Sequence, residues 1–302
     1  MSAVVAASPA LQAALADTAR EIDARFDVLL SVPDDARANL YRAMRHAAID
    51  GGKRLRPLLV FATAKLFGCD YDCAGRVAMA LEAIHVYSLI HDDLPAMDDD
   101  DLRHGRPTLH KAFDEATAIL AGDCLHALAF EILADPATHG DPFVRAELIL
   151  DLARATGPTG MAGGQMMDLE AETRTFDLAT VTRLQAMKTG ALIAAAVEAG
   201  AILGKVPPEG RTGLRGYARD LGLAFQIVDD LLDVEGDEAL AGKKLRKDGE
   251  AGKETFVSLL GVEPARQRCR MLVDQAIEHL RHYGPEADLL RDIARFVLTR
   301  DH

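Results

Sequence analysis

Two short acidic runs carry the chemistry most plainly written in this chain. They are Asp92-Asp93-Leu-Pro-Ala-Met-Asp98, followed directly by Asp99, Asp100 and Asp101, and Asp229-Asp230-Leu-Leu-Asp233. On a helix, Asp229 and Asp233 lie one turn apart on the same face. They project from an otherwise apolar element, Ile227-Val228 and Leu231-Leu232, where an uncompensated carboxylate pair is costly to bury. Pro95 stands between Asp92 and Asp98 and cannot occupy an undistorted helix interior; a kink there returns Asp98 to the side of Asp92. Magnesium takes carboxylate, water and phosphate oxygens, usually one or two carboxylates per ion with a substrate supplying the rest. Two such clusters on neighbouring helices can therefore clamp a diphosphate through bridging ions. Asp99 to Asp101 read better as a solvated acidic run, whereas the apolar flanks argue against that for the other acids.

The elements that must position these acids are helical. Apolar residues recur at three- and four-residue spacing, as in Leu11, Leu15, Ile22 and Phe26, then Val77, Leu81 and Ile84, which is helix periodicity. No stretch alternates cleanly enough for a strand of any length. Pro33, Gly51-Gly52, Pro95, Pro136, Pro142, Gly157-Pro158, Pro207-Pro208 and the stretch from Gly236 to Gly252 punctuate the chain. These stops predict an all-α bundle of roughly ten to twelve helices. Two of them, Arg76 to Ile90 and Arg215 to Val234, are apolar on more than one face and belong in the middle of such a bundle. Each carries one acidic cluster near its C-terminal end. Without a linker or a strict internal repeat, residues 1–302 are expected to form a single domain.

With 34 Lys and Arg against 47 Asp and Glu, the net charge is -13, which argues against nucleic acid as a partner. Anionic substrates are not excluded, because Lys53, Arg103, Lys188, Lys243 and Lys253 can converge locally on an acidic molecule. Cys69, Cys73, Cys124 and Cys269 are too few and too scattered for a disulfide framework or a tetrahedral zinc site, and a reducing cytoplasm fits them. The N-terminal stretch lacks the pattern of a signal peptide, and no run of eighteen apolar residues is expected to span a membrane.

Taken together, the motifs resemble those of the trans-isoprenyl diphosphate synthases of the bacterial farnesyl diphosphate synthase type. Gly51-Gly52-Lys53-Arg54-Leu55-Arg56-Pro57 is similar to that family's GGKRLRP element, and Asp92 to Asp98 to its DDxxxxD motif. Gly163-Gly164-Gln165 with Asp168 resembles GGQxxD, and Lys188-Thr189-Gly190 resembles KTG. Phe225-Gln226 with Asp229, Asp230 and Asp233 resembles FQxxDDxxD, and Gly252-Lys253 with Thr255 resembles GKxT. Six ordered elements across residues 51–255 make a chance match negligible, where a lone DDxxD would not.

The resemblance implies an isoprenoid synthase fold around a central cavity, a homodimer, and magnesium, three ions per site when substrate is bound. It implies condensation of dimethylallyl or geranyl diphosphate with isopentenyl diphosphate to give farnesyl diphosphate. Asp92, Asp98 and Asp229 would bind metal, with Asp93 and Asp233 acting through water. Arg103, Lys188, Gln226, Lys243 and Lys253 would contact the allylic diphosphate, with Thr189 beside the cation. Lys53, Arg56 and His85 would hold isopentenyl diphosphate. Breaking the allylic C–O bond puts negative charge on the departing diphosphate, so metal ions and fixed cations there stabilise the transition state above the ground state.

One position departs from the family. Where two adjacent arginines are usual, this chain has Arg103-His104, and imidazole is shorter and offers fewer donors, so His104 is expected to weaken isopentenyl diphosphate binding. Tyr87 lies roughly 7–8 Å before Asp92 along a helix axis, where the resemblance implies a floor to the tail pocket, with Ser88 beside it offering no second obstruction. Rival readings are a longer-chain synthase, an inactive partner subunit, and a terpene cyclase, the last disfavoured by 5% aromatic content without Trp.

Overall fold

The computed structural model describes residues 8–235 and 253–299. The chain begins with α1 (Pro9–Leu29), α2 (Ala38–Ala48), α3 (Leu55–Leu66) and α4 (Tyr71–Asp92). After a hairpin of two short strands, β1 (Leu102–Arg103) and β2 (Arg106–Pro107), come α5 (Leu109–Ala112), α6 (Glu115–Ala134), α7 (Pro142–Thr156), α8 (Met161–Glu170) and α9 (Leu178–Gln185). A π-helical turn, Ala186–Gly190, joins α9 to α10 (Ala191–Leu203), and α11 (Thr212–Glu235) follows. The last described helices are α12 (Phe256–Leu260), α13 (Val262–His279) and α14 (Asp288–Val297). Setting aside the single turns α5 and α12, twelve α-helices stand among the described residues, within the expected range, and the fold is all-α.

The helix starts are chemically specified. Ser8, Asp70, Asp114, Asp141 and Asp177 each accept a hydrogen bond from a backbone N–H in the first turn that follows, satisfying donors that have no partner within the helix. Helix α4 ends because Pro95 cannot continue it. The chain folds back there, with Asp98 N donating to Asp92 O at 2.8 Å and Asp100 N to Asp93 O at 3.3 Å.

Helices α3, α4, α10 and α11 form the interior. Nearly every residue of α10 is buried, and α4 buries a run from Ala74 to Ile90 interrupted at few positions. α4 packs against α3 and α6; α11 packs against α10, α13 and the π-helical turn. One expectation needs correction. By length and hydropathy alone Tyr71–Asp92, Glu115–Ala134 and the continuous stretch Leu178–Leu203 are apolar enough to cross a membrane, although 67%, 39% and 61% of their apolar windows are buried within the chain. A helix central to a large bundle is apolar all round, so this criterion alone does not separate core from span.

Candidate active site

The cationic residues of the GGKRLRP element do different things. Arg54, at φ 52, precedes the first residue of α3 and is buried, with its guanidinium on Glu82 at 2.7 Å, Asp23 at 2.6 Å and the carbonyl of Ala48 at 2.6 Å. It is a structural cation, locking α3 to α1, α2 and α4. Lys53 is exposed and its Nζ lies 5.6 Å from the ring centre of Phe296. Arg56 Nη1 lies 3.2 Å from His85 Nε2. Burial, then the positive charge of Arg56 and of the neighbouring His104, Arg54 and Arg103, hold His85 well below the usual imidazole range. Being neutral, it can accept from Arg56. Burial also pushes the Arg56 guanidinium down, opposed by Glu82 and Asp229.

Lys53, Arg56, His85, Arg103 and His104 all line one cavity of about 600 Å³. The β1–β2 hairpin brings the last two there. Its turn residues His104 and Gly105 have φ of 52 and 74, the pattern of a type I′ turn, and β1 and β2 pair through Arg103 and Arg106. The His104 ring lies over Gly52, whose added Cβ would stand 3.5 Å from Nε2. Arg106 joins the same wall, donating to the Ile49 carbonyl at 3.1 Å and lying 3.3 Å from His46 Nδ1. Phe225 of α11 and Phe296 of α14 supply apolar wall.

Beside this cavity, the end of α4 gathers charge. Asp93 is buried and takes Arg103 through Nε at 3.0 Å and through Nη2, while Arg103 also reaches Asp100 at 3.3 Å. Burial pushes the Asp92 carboxyl up to about 6, with Lys188 pulling it down and Asp98 adding repulsion. Lys188 lies on the π-helical turn, a rare geometry that is frequent at functional sites. Its Nζ is 3.0 Å from Asp168 Oδ2, and Lys253 Nζ reaches the same oxygen at 2.9 Å and Glu172 at 3.2 Å. Burial pushes Asp168 up, but the two ammonium groups outweigh it and hold the carboxyl below its usual range.

From the next position on that turn, Thr189 donates to Gln226 Oε1 at 3.1 Å, and Gln226 is one turn before Asp229 and Asp230 on α11. The π-helical turn thereby touches both acidic clusters: Lys188 faces Asp92 and Asp98 electrostatically, and Thr189 holds α11. Asp230 is structural, buried and bonded to Gln226 Nε2 at 3.2 Å and to the Phe256 backbone N–H at 2.8 Å. Asp229 and Asp233 are partly buried on α11, and Asp229 acts electrostatically on Arg56. Lys243 lies outside the described residues.

Among the described residues no three His, Cys, Asp or Glu side chains stand close enough to hold an ion by themselves. Hard carboxylate oxygens in ones and twos suit magnesium completed by phosphate oxygens. A divalent ion would also relieve the repulsion and desolvation that push Asp92 up. The acids at the two helix ends therefore fit magnesium that arrives with its substrate.

Tyr87 and Ser88 stand on α4 within two turns of Asp92. The Tyr87 ring packs edge-on to His91 at 5.6 Å and to His126 of α6 at 5.0 Å, and His126 packs in turn on Phe130 at 5.2 Å. Ser88 bonds its own helix at the His85 carbonyl, 2.8 Å. Neither lines the cationic cavity. Sequence reasoning gave no role to Asp168, Phe225, Phe296 or the His126–Phe130 pair. Asp168 and Phe225 belong to quoted motifs and were open to discovery, whereas nothing in the last helix points to Phe296.

The polyprenyl synthetase family model matches residues 37–288. A farnesyl diphosphate synthase of Escherichia coli (strain K12) is 47% identical over 268 residues, 85% of this chain and 88% of that protein. The crystal structure of an FPP/GFPP synthase from Zymomonas mobilis is 56% identical with a TM-score of 0.88, covering 95% of this chain and 98% of its own. A geranyltransferase from Helicobacter pylori, complexed with magnesium and isoprenyl diphosphate, is 32% identical with a TM-score of 0.79, covering 97% of this chain and 98% of its own.

Proposed function

Because the chain belongs to the polyprenyl synthetase family, we propose that it is a chain-elongating prenyltransferase condensing dimethylallyl or geranyl diphosphate with isopentenyl diphosphate to give farnesyl diphosphate. The observation that carries this reading is the π-helical turn, whose Lys188 faces Asp92 and Asp98 while its Thr189 holds Gln226. One short turn thus links the first acidic cluster, through Lys188, to the helix that carries the second, through Thr189.

In this reading Asp92, Asp98 and Asp229 hold magnesium, three ions with substrate bound, and Asp93 and Asp233 act through water. Bound magnesium supplies Lewis-acid charge to the departing diphosphate. Lys188, Lys253 and Arg103 add fixed positive charge at the same place, pre-oriented by Asp168 and Asp93, so little reorganisation is needed as charge develops. Lys243 would join them. Thr189 and Gln226 place oxygen dipoles beside the allylic cation. Lys53, Arg56, His85 and His104 orient the isopentenyl diphosphate, whose double bond attacks that cation. The released diphosphate takes the proton lost in the last step. Phe225 and Phe296 help exclude water, which would otherwise capture the cation.

The continuous apolar core supports one polyprenyl synthase domain over residues 1–302. A homodimer is supported by apolar side chains left outside on α6 and α7, with Ile119 43%, Leu120 54% and Phe143 83% exposed. A cytoplasmic enzyme is supported by four free thiols. A longer product is the second reading, supported by Ser88, too small to obstruct a growing tail, and by the FPP/GFPP synthase relative.

The test is incubation of the purified chain with magnesium, dimethylallyl diphosphate and isopentenyl diphosphate, followed by dephosphorylation and chromatographic sizing. A fifteen-carbon alcohol is expected; twenty or twenty-five carbons would select the longer-chain reading. No consumption of isopentenyl diphosphate would leave the inactive-partner reading, and a hydrocarbon made from farnesyl diphosphate alone would replace the proposal with a cyclase.

A further inference from the structure

The positive side chains around the cationic cavity differ in what balances their charge. Glu82 and Asp93, the carboxylates of its wall, are bonded to Arg54 and Arg103, which reach Asp23 and Asp100 as well. Arg106 lines the same cavity, yet the groups that hold its guanidinium are neutral. Nη1 donates to the Ile49 carbonyl at 3.1 Å, and Nη2 lies 3.3 Å from His46 Nδ1. Among the described residues it forms no ion pair with a carboxylate.

His46 fixes the direction of that guanidinium. Its Nε2 lies 3.0 Å from the Pro107 carbonyl, and a carbonyl only accepts, so Nε2 carries the proton and Nδ1 presents its lone pair to Arg106. The edge of Phe113, 5.9 Å away between ring centres, braces the imidazole. The hairpin adds a second constraint. Arg103 and Arg106 stand directly opposite one another across β1 and β2, where like charges destabilise a strand pair. Two carboxylates relieve Arg103, whereas the partners of Arg106 bring no negative charge. A half-buried guanidinium, oriented but not compensated, is costly unless an anion joins it. Its planar fork matches the spacing of phosphate oxygens.

We propose that Arg106 is a substrate-binding residue whose guanidinium contacts the diphosphate of isopentenyl diphosphate, an inference that rests on the prenyltransferase reading above. Nη1 and Nη2 each give one N–H to the protein and keep the other for a diphosphate oxygen. The hairpin then serves both substrates, Arg103 on the allylic side and Arg106 on the isopentenyl side. The incoming diphosphate also supplies the counter-charge that relieves the opposed arginines.

The experiment compares the wild type with Arg106→Gln, which removes the charge and keeps a donor, and with Arg106→Lys, which keeps the charge without the fork. Three quantities are read: steady-state constants with geranyl and isopentenyl diphosphates, affinity for isopentenyl diphosphate by calorimetry without the allylic substrate, and Tm. For Arg106→Gln the expected result is a KM for isopentenyl diphosphate higher by about tenfold and an affinity lower by about as much. The KM for geranyl diphosphate holds, and kcat at saturating isopentenyl diphosphate stays within about twofold of wild type. Arg106→Lys recovers part of the loss. Unchanged KM and affinity in Arg106→Gln would overturn the inference. So would equal losses on both substrates with a lowered Tm, which marks a support of the hairpin. Should the wild type bind isopentenyl diphosphate yet fail to condense it, the prenyltransferase reading fails separately. The affinity comparison still decides Arg106, equal binding by wild type and Arg106→Gln counting against it.

Discussion

Lys188 Nζ lies 3.0 Å from Asp168 Oδ2, so a cation of the π-helical turn is held by a carboxylate from α8. Lys253, far along the sequence, is drawn to the same oxygen. Replacing Asp168 by Asn removes the one carboxylate the two ammonium groups share, leaving Lys253 to Glu172 and Lys188 to Asp92 and Asp98, so the two are expected to separate. The expected outcome is a kcat/KM for the allylic substrate lower by about 10–100-fold, or about 1.4–2.7 kcal/mol of transition-state stabilisation. The KM for isopentenyl diphosphate should hold, because Lys53, Arg56 and His104 line a cavity to which Asp168, Lys188 and Lys253 do not contribute. Equal loss on both substrates in steady-state kinetics would show that Asp168 supports the bundle rather than the lysines.

Tyr87 is braced by the edges of His91 and His126. Truncation to Ala removes a ring within two turns of Asp92 and opens space between α4 and α6. Tyr87→Ala should shift products to twenty carbons or more, with total isopentenyl diphosphate incorporation within a few-fold of wild type. An unaltered product distribution on chromatographic sizing would remove the floor assignment. His126→Ala should act in the same direction but less, since it removes the brace and not the ring.

How far the sequence foretold this arrangement depends on whether a signal was local. The acidic helix ends were legible because Asp229 and Asp233 interrupt an apolar period and Pro95 must break α4, both rules of chain geometry. The resemblance set Lys53 and Arg56 apart from Arg54, but the physical reason was not legible in Lys53-Arg54-Leu55-Arg56 itself. Only tertiary packing makes Arg54 a buried partner of Asp23 and Glu82 while Lys53 and Arg56 face a cavity. Phe296 escaped notice because a phenylalanine on an amphipathic terminal helix is indistinguishable from core until its neighbour is known. The apolar character of α6 is equally hard to see in the sequence, because its alanines raise the hydropathy without forming a conspicuous run.

His104 occupies a left-handed turn position, φ 52, which is several-fold enriched in Asn, Asp and His among non-glycine residues. It reaches the cavity wall from there. His104→Arg adds a permanent charge and a planar fork of donors, and the KM for isopentenyl diphosphate is expected to fall by about three- to tenfold, with a stability loss under about 1 kcal/mol from the turn. Initial-rate kinetics at fixed geranyl diphosphate measure this; a KM unchanged or higher would show that histidine already serves the diphosphate fully.

Asp92, raised to about 6 by burial, should make metal binding depend on pH. Below about 6 the carboxyl is protonated and an incoming ion must displace the proton. Apparent magnesium affinity in the presence of inorganic pyrophosphate should therefore strengthen between pH 5 and 7 by up to about tenfold per unit, then level off. Removal of magnesium with a chelator should abolish turnover. Calorimetric titrations at pH 5.5, 6.5 and 7.5 provide the comparison, and Asp92→Asn should flatten the slope; an equally steep slope in the variant would place the titrating group elsewhere.

Asp151, on α7 and remote from these acids in sequence, offers a separate reading of the same physics. Burial raises its carboxyl to about 6, Glu198 adds repulsion, and Arg211 and Arg215 oppose. Between roughly pH 4 and 6 the folded chain holds a proton that the unfolded chain, with an Asp near about 3.9, has released. The folded state binds more protons in that window, so stability falls as pH rises through it. The neutral form's contribution is fully present below about 4 and lost above about 6. Asp151→Asn keeps the neutral form at every pH. It should match wild type near pH 4.5 and exceed it at pH 7.5 by about 1–3 kcal/mol, the size of a shift of about two units. Denaturant melts at the two pH values give the gap directly, and a gap of the same size at both would mean that Asp151 is ionised throughout and that its neighbours already compensate its charge.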